Sequence, residues 1–242
     1  MAKKVLILGG GIGGTIVGNG LARKIPYLLE SGEVSLTMLS ATDRHFYQPG
    51  LLYIPFSRVT PQELDRDQKS LLHPAIDFRV DAAVKIDTDK RAVTSESGRT
   101  YDYDYLVVAT GSRIVPEEVP GLKENSLTFY DLPSALRMRE ELAKFQGGKV
   151  VITVGIPHKC PPAPLEITFM LWEHFRSRGL GDKVEITYTY PIGRVHTLEP
   201  VAPWAQAEFD RRGIKYEVFF NMKEIDGEKK QKIGRASCRE RV

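Results

Sequence analysis

Short apolar runs alternate with helical stretches along the first part of the chain. The run Lys4–Leu8 is followed by a glycine-rich segment, by a helical stretch that continues to about Lys24, and by a second apolar run at Glu33–Leu39. Apolar runs of this length without polar alternation are typical of parallel strands that are buried on both faces. The order of strand, helix and strand therefore predicts a βαβ unit at the start of the chain.

The pattern then predicts a strand-rich segment and a second α/β unit. Residues 78–111 contain short strand-like segments that are broken at Asp87–Lys90 and Glu96–Gly98, and they end in a buried strand at Tyr105–Ala109. The elements predicted after them are a buried strand at Lys149–Val154, a helix from about Pro162 to Gly179, a strand at Gly181–Tyr190, a helix at Pro200–Arg212 and a strand at Lys215–Phe220.

These elements predict an α/β protein of two units followed by a tail. The predicted divisions are residues 1–112, 113–227 and 228–242. In the helix that begins near residue 162, the spacing of Leu165, Phe169 and Trp172 predicts that these apolar side chains lie on one face.

Composition and charge exclude several classes of protein. The chain has 242 residues, of which 42% are hydrophobic and 27% charged, so it is neither disordered nor collagen-like. Its 34 Lys and Arg exceed its 31 Asp and Glu by only 3, which gives no support for a nucleic-acid partner. Two cysteines exclude a disulfide scaffold, and no Cys/His spacing suits a metal site. No apolar run approaches the ~18 residues of a transmembrane helix.

The two ends of the chain carry basic residues that could be mistaken for, or derive from, segments outside the fold. Lys3 and Lys4 precede an apolar stretch, but five glycines interrupt that stretch and no signal-peptide cleavage site follows, so we expect a cytoplasmic protein. The last residues, IGRASCRERV at 233–242, resemble the translation of a sequencing adapter, and the alternative is an ordinary basic terminus. On the first interpretation Cys238 is not native and the natural chain continues past Lys232, so the sequence is expected to be a fragment.

A glycine motif lies between the first predicted strand and helix. The pattern Gly9-x-Gly11-x-x-Gly14 is the dinucleotide-binding fingerprint in its required context. Gly9 allows the tight turn, Gly11 lets the backbone approach a pyrophosphate, and Gly14 lets the helix and strand pack closely. Ile12 and Gly13 complete a helix N-terminus whose N–H groups are expected to bind the phosphates.

The residues after the second strand leave the identity of the dinucleotide open. Ser40 stands where an acidic residue usually binds the ribose hydroxyls, and Arg44 follows four residues later. The missing acid and the nearby arginine are compatible with the 2′-phosphate of NADP. In a dinucleotide without a 2′-phosphate, we expect the ribose to lie near Ser40.

The glycine loop, the strand-rich segment and the closing string YDYLVVATG together resemble the two-dinucleotide-binding flavoproteins of the disulfide-reductase superfamily. The resemblance implies FAD/NAD(P)-binding Rossmann-like domains with a three-layer sandwich, incomplete at the C-terminus, and FAD at the first loop. It also implies that Ala83, Thr110 and Gly111 contact FAD. The segment Arg44–Pro49 is expected to pass along the isoalloxazine, with Pro49 nearest the ring, although a surface loop with packed aromatic residues is the alternative.

The second predicted strand–helix junction has no glycine fingerprint. Its sequence is GIPHKCPPAP at 155–164, in which bulky residues and prolines replace the glycines. Each proline removes an N–H group that could have held a phosphate, which argues against nicotinamide binding at this loop.

The second loop carries a cysteine instead. Cys160 follows His158 and Lys159 and precedes the predicted helix, and all three features favour a thiolate. The string KCPPAPLE resembles sulfide:quinone oxidoreductases and the flavoprotein subunit of flavocytochrome c sulfide dehydrogenases. In that branch a cysteine at this position lies near the flavin and pairs with a second cysteine far downstream. The alternative is an inert buried thiol.

Two further residues are candidates for proton transfer. Glu166 lies one helical turn beyond the cysteine loop, where it could relay a proton near the flavin or simply complement the helix dipole. His196 lies near the position of a histidine in quinone-reducing relatives, although Arg194 could be the residue that aligns there.

The resemblance implies an FAD-dependent enzyme that oxidises sulfide, or a related sulfur nucleophile, through Cys160 and passes the electrons to quinone. Peripheral contact with the inner face of the plasma membrane is expected through a region beyond Lys232. The alternatives are an NAD(P)H-dependent flavoprotein reductase and an inactive flavoprotein fragment.

Overall fold

The computed structural model describes residues 2–236, so Cys238 lies outside the described residues. The chain divides into two compact units. The first consists of Met1–Gln48 and Thr60–Arg113, and the second of Pro49–Val59 and Ile114–Val242. The segment that contains Pro49 therefore belongs to the second unit, although the chain on both sides of it belongs to the first.

The first unit is built on a parallel sheet. Its elements are β1 (Lys3–Leu8), α1 (Ile12–Lys24), α2 (Pro26–Glu30), β2 (Val34–Ser40), β3 (Arg44–Phe46), α3 (Pro61–Leu64), β4 (Asp65–Asp67), β5 (Asp77–Val80), β6 (Ala83–Asp87), β7 (Ala92–Ser95), β8 (Thr100–Asp102) and β9 (Tyr105–Val108). Four strands form the parallel sheet in the order β5-β2-β1-β9. The strands β6, β7 and β8 form an antiparallel sheet, and β3 pairs with β4.

The central strand β1 contributes to two separate cores because its side chains alternate between the faces of the sheet. Ile7 packs in one cluster with Ala22 of α1. Leu6 and Leu8 pack in another cluster with Val93 of β7. The layers are therefore helices, parallel sheet and antiparallel sheet, which confirms the predicted three-layer sandwich.

The second unit repeats the strand–helix pattern around a smaller sheet. Its elements are α4 (Leu122–Asn125), α5 (Leu132–Lys144), β10 (Gly148–Thr153), α6 (Ala163–Ser177), β11 (Val184–Thr189), α7 (Val201–Arg212), β12 (Lys215–Glu217), β13 (Phe220–Asp226) and β14 (Gln231–Ala236). The strands β10, β11 and β12 are parallel, and β13 and β14 form an antiparallel hairpin. Part of the predicted tail is thus strand β14.

The core of the second unit lies between one face of its sheet and the helices. Phe175 of α6 and Phe209 of α7 are fully buried with Tyr188 of β11. Leu165, Phe169 and Trp172 all pack against this core, as expected of residues that share one face of α6. Phe169 and Trp172 are only partly buried, while the fully buried residues of the helix are Ala163, Pro164, Leu165, Ile167, Thr168, Leu171 and Phe175.

Two strands predicted to be buried lie at the edges of their sheets. Val108 of β9 is 59% exposed and Val151 of β10 is 47% exposed. The prediction of full burial is wrong for both, because an edge strand covers fewer of its side chains than a central strand with the same apolar sequence. The predicted strand Lys215–Phe220 also ends early, since β12 stops at Glu217 and Phe220 begins β13.

Candidate functional site

The glycine loop follows β1 at the carboxyl end of the first sheet. Gly9 has a φ of +107°, which favours glycine, and a Cβ on Gly9 would overlap the Ala109 carbonyl. A Cβ on Gly14 would overlap the carbonyl of Gly9. The structural roles predicted for these two glycines, a tight turn and close packing, therefore match the geometry.

Gly11 differs from these glycines because nothing in the protein requires its small size. A Cβ on Gly11 would meet no atom within 4 Å, and Gly11, Ile12 and Gly13 are exposed. Gly11 is the N-cap of α1, and the first helical hydrogen bond runs from the Thr15 N–H to the Gly11 carbonyl at 2.9 Å. The N–H groups of the first turn have no intrahelical acceptors, so this open space suits a pyrophosphate.

Three other predicted cofactor residues, Ser40, Thr110 and Gly111, lie at the carboxyl ends of strands of the first sheet, whereas Ala83 does not. Ser40 ends β2 and is buried, and its hydroxyl accepts a hydrogen bond from the Thr42 N–H at 3.4 Å. Thr110 and Gly111 follow β9, are exposed, and lie where Ala109 adjoins Gly9. Ala83 begins β6 and packs against the cluster that contains Leu6. Contact of any of these residues with FAD stays a prediction.

Arg44 is already paired within the protein. Its Nε atom lies 3.0 Å from Asp65 Oδ1 and 3.2 Å from Asp65 Oδ2. The hydrogen bond with Asp65 raises the pKa of Arg44, and the charges of Asp43 and Asp67 add to the effect. An arginine held by a carboxylate and surrounded by acids is poorly suited to a nucleotide 2′-phosphate, which disfavours NADP at this loop.

A buried polar network that the sequence analysis missed lies beneath the glycine loop. Gln68 is 0% exposed, and its Nε2 donates to Thr15 Oγ1 at 2.8 Å. His45 Nδ1 lies 2.8 Å from Gln68 Oε1 and 3.2 Å from the Gly10 carbonyl oxygen. Thr15 Oγ1 also donates to the Gly10 carbonyl at 3.2 Å. No sequence motif identified Gln68, because it lies 53 residues from Thr15.

The cysteine loop of the second unit connects β10 to α6. Cys160 is a free, partly buried thiol two residues before Pro162, the N-cap of α6. The N–H groups of Leu165 and Glu166 both donate to the Pro162 carbonyl at 3.0 Å. Most backbone N–H groups at this helix N-terminus are therefore either bonded within the chain or absent because the residue is proline. Few remain to bind a phosphate.

Aromatic side chains surround the cysteine loop. His158 Nε2 lies 2.8 Å from the Tyr190 hydroxyl oxygen. Burial raises the pKa of Tyr190. Burial, and then negative charge on Cys160, raise the pKa of Tyr130 to about 12. Both phenols are thus neutral at physiological pH, and Tyr130 is close enough to Cys160 for their charges to interact.

The remaining proton-transfer candidates differ in exposure. Glu166 lies in the first turn of α6 with an exposed side chain. His196 is only 2% exposed, and its Nδ1 accepts a hydrogen bond from the Leu198 N–H at 3.0 Å. The ring proton therefore resides on Nε2, which is buried with no hydrogen-bond partner among the described residues. Arg194 instead donates to the carbonyls of His196 and Thr197.

Metal and membrane-spanning features are absent from the part of the chain that the structure describes. No group of three or more His, Cys, Asp or Glu within residues 2–236 could hold a metal ion. Within the same residues, no helix is long and apolar enough to cross a bilayer.

Comparison with known proteins identifies the family. The profile of the family described as pyridine nucleotide-disulphide oxidoreductase matches residues 3–238. The mitochondrial sulfide:quinone oxidoreductase of Dictyostelium discoideum is 25% identical over 239 residues, which cover 95% of this chain and 51% of that protein. An NADH dehydrogenase-like protein of Mycobacterium tuberculosis is 29% identical over 154 residues, which cover 60% of this chain and 36% of that protein.

A solved structure shows the same fold. The sulfide:quinone oxidoreductase of Aquifex aeolicus superposes with a TM-score of 0.81 at 24% identity, covering 96% of this chain and 56% of that one. The chain thus spans about half the length of the curated sulfide:quinone oxidoreductase it matches. Because the family profile covers nearly the whole chain and the glycine loop fits a pyrophosphate, the chain belongs to the pyridine nucleotide-disulphide oxidoreductase family, and FAD is its cofactor.

Proposed function

We propose that the chain belongs to an FAD-dependent enzyme that oxidises sulfide, or a related sulfur nucleophile, through Cys160 and passes the electrons to quinone. The observation that carries this proposal is the loop between β10 and α6, where a cysteine and three prolines stand in place of a second phosphate-binding loop. The similarity to sulfide:quinone oxidoreductases over 95% of the chain supports it.

The two loops would have separate tasks. The N–H groups at the start of α1 would hold the FAD pyrophosphate, with Ser40 near the ribose and Pro49 near the isoalloxazine. When bound, FAD supplies the ability to accept an electron pair and pass it on. Oxidation of sulfide to zero-valent sulfur releases an electron pair, and reduction of a quinone to quinol consumes one.

Cys160 would act as the redox thiol. Its sulfur is partly buried, two residues before the N-cap of α6, and its neighbours in sequence are His158 and Lys159. Tyr130 would contribute a neutral phenol near the sulfur, because its pKa is raised to about 12. A free, partly buried cysteine in these surroundings is suited to nucleophilic sulfur chemistry.

His196 and Glu166 would handle protons. The Leu198 N–H donates to Nδ1 of His196, so the buried Nε2 carries the ring hydrogen and acts as a donor. The acceptor for this hydrogen would be an oxygen of the quinone or quinol. Glu166, which is exposed, would exchange protons with solvent. Because quinones reside in membranes, the same proposal includes peripheral contact with a membrane, and we place this contact on the cytoplasmic side.

The decisive experiment measures loss of the absorbance of oxidised flavin after mixing with sulfide. We expect Cys160→Ser to retain bound flavin but to lose sulfide-dependent flavin reduction. Ser177→Ala, near the opposite end of the same helix, serves as the matched control and should behave like the parent chain. Reduction of the Cys160→Ser flavin by sulfide at the parent's rate would contradict the proposal.

The same assay separates the alternatives. Flavin reduction by NADH or NADPH but not by sulfide would favour a pyridine-nucleotide-dependent reductase, the class suggested by the NADH dehydrogenase-like relative. A flavin that no donor reduces would favour an inactive flavoprotein fragment.

A further inference from the structure

The carbonyl group of Gly10 is held from beneath by two side chains. Gly10 is buried, while Gly11 is exposed. The Thr15 hydroxyl lies 3.2 Å from the Gly10 carbonyl oxygen, and His45 Nδ1 lies at the same distance from it. Thr15 is on α1 and His45 on β3, so the carbonyl is fixed by two elements that are distant in sequence.

The hydrogen-bond network determines which atom of His45 carries a proton. Gln68 Nε2 donates to Thr15 Oγ1 at 2.8 Å, so the atom that Gln68 directs at His45 Nδ1 is its Oε1, also at 2.8 Å. The two groups facing Nδ1, this amide oxygen and the Gly10 carbonyl, can only accept hydrogen bonds. Nδ1 must therefore carry a hydrogen and share it between them.

Gln68 is itself fixed. Its side chain is 0% exposed, and its backbone N–H donates to the Asp43 carbonyl at 2.7 Å. The amide thus cannot reorient without leaving a buried polar group unpaired, which costs about 1–3 kcal/mol. Gln68, Thr15 and His45 form a rigid support, which we call the Gly10 brace.

The brace determines the direction of the next N–H group. In a planar trans peptide, the carbonyl of one residue and the N–H of the next point in opposite directions. Because the Gly10 carbonyl is held inward by His45 and Thr15, the Gly11 N–H points away from them, on the exposed side where a Cβ would meet no protein atom.

We propose that His45, Gln68 and Thr15 are positioning residues for FAD, which hold the Gly10 carbonyl inward so that the Gly11 N–H faces the pyrophosphate. This inference rests on the proposed placement of FAD at the glycine loop, but not on the identity of the electron donor. It gives His45 a role at the phosphates, whereas the sequence resemblance implies that its segment passes along the isoalloxazine.

The test measures the dissociation constant of FAD with the flavin-free chain. His45→Phe keeps a ring but removes the Nδ1 donor, and Gln68→Leu removes both hydrogen bonds of the Gln68 side-chain amide. Each should weaken FAD binding by about tenfold, the equivalent of one well-placed hydrogen bond. His45→Asn keeps a donor at nearly the same position and should restore most of the affinity. Gln62→Leu, at an exposed glutamine of α3, is the matched control and should change nothing.

Phosphorus NMR of the bound cofactor distinguishes a role in positioning FAD from a role in stabilising the fold alone. If the brace positions the loop, the phosphorus resonances of bound FAD shift in His45→Phe and return toward the parent's in His45→Asn. Thr15→Val, which replaces the hydroxyl with a methyl group of similar size, provides a second variant should His45→Phe fold poorly. Parent-like affinity and parent-like phosphorus resonances in Gln68→Leu and Thr15→Val would overturn the brace.

One further variant tests the placement of FAD itself. Gly11→Val adds a side chain whose Cβ meets no protein atom within 4 Å, so the chain should fold and yet lose FAD. If Gly11→Val loses FAD while the brace variants bind it normally, the brace alone is overturned. If Gly11→Val binds FAD normally, the proposed placement of FAD is overturned, and the role of the brace with it.

Discussion

The two strand–helix junctions of this chain share a design but offer opposite chemistry. Each connects a parallel strand to a helix, β1 to α1 in the first unit and β10 to α6 in the second. At the first junction, glycines leave the N–H groups of the helix N-terminus open. At the second, most of the corresponding N–H groups are either missing, because the residue is proline, or bonded to the Pro162 carbonyl. The same local fold thus leaves N–H groups open at one junction and presents a thiol at the other, and the residues of the loop decide which.

The two loops are also held in place differently. The first is fixed through its backbone, since Gly9 adjoins Ala109 and the Gly10 carbonyl rests on the brace. The second is fixed through the side chain of His158, which hydrogen-bonds to Tyr190 at the end of β11. An added Cβ should consequently disturb the first loop at Gly9, where it would overlap the Ala109 carbonyl, but not the second loop at Gly155, where it would meet no atom within 4 Å.

The largest expected effect is the difference in stability between two variants that each add one methyl group, one in each loop. Gly9→Ala forces a side chain into a left-handed backbone and against the Ala109 carbonyl, and it should lower the free energy of unfolding by about 3 kcal/mol or more. Gly155→Ala, the matched change in the second loop, meets no atom within 4 Å and should cost less than about 1 kcal/mol. Urea unfolding measures both, and equal effects would break the comparison.

A smaller effect is expected from Tyr190→Phe. The hydroxyl that holds His158 is lost, and the free energy of unfolding should fall by about 1 kcal/mol because the ring remains buried. Tyr27→Phe, at a tyrosine that is 64% exposed, should change it by less than about 0.5 kcal/mol. If the two changes have the same effect in urea unfolding, the bond to His158 does not hold the second loop.

The smallest effect is a shift in a phenol titration. Burial and then the charge of Cys160 raise the pKa of Tyr130 from 10.0 to about 12. Cys160→Ser removes the charge but not the burial, so the pKa of Tyr130 should fall while staying above 10.0. Ultraviolet difference titration follows the phenol, and Tyr130→Phe identifies its signal. A Tyr130 pKa that does not fall in Cys160→Ser would show that the two groups do not interact.

The sign of the associated stability change follows from the same shift. The folded chain holds the Tyr130 proton more tightly than the unfolded chain does, because its pKa is raised. This contribution to the free energy of unfolding is fully present below about pH 10 and is lost as the pH rises to about 12. Tyr130→Phe should therefore lose less stability than the parent over that range.

The glycine loop was predictable because its residues are adjacent in sequence. Gly9 and Gly14 have roles that follow from local geometry, and the strand before them and helix after them have clear patterns. The Gly10 brace was not predictable, because Thr15, His45 and Gln68 come together only when β3, β4 and α1 pack. A buried glutamine has no sequence signal that distinguishes it from an exposed one.

The burial of individual residues in α6, β9 and β10 was hard to predict for a similar reason. Helix α6 is apolar over most of its circumference, so periodicity alone could not separate the stripe through Leu171 and Phe175 from the one through Phe169 and Trp172. The strands β9 and β10 have sequences like those of central strands, and only the observed strand order shows that they are edges. Burial in both cases depends on neighbours that are distant in sequence.

The two-sided packing of β1 has a consequence for synthesis on the ribosome. This strand emerges well before its neighbour β9, which pairs with it in the register Val5↔Tyr105, and the Lys4 N–H bonds to the Asp104 carboxylate across 100 residues. At a translation rate of about 5–20 residues per second, that separation leaves β1 without this partner for about 5–20 s. A nascent strand that is apolar on both faces is thus a natural client for chaperones that bind extended hydrophobic segments.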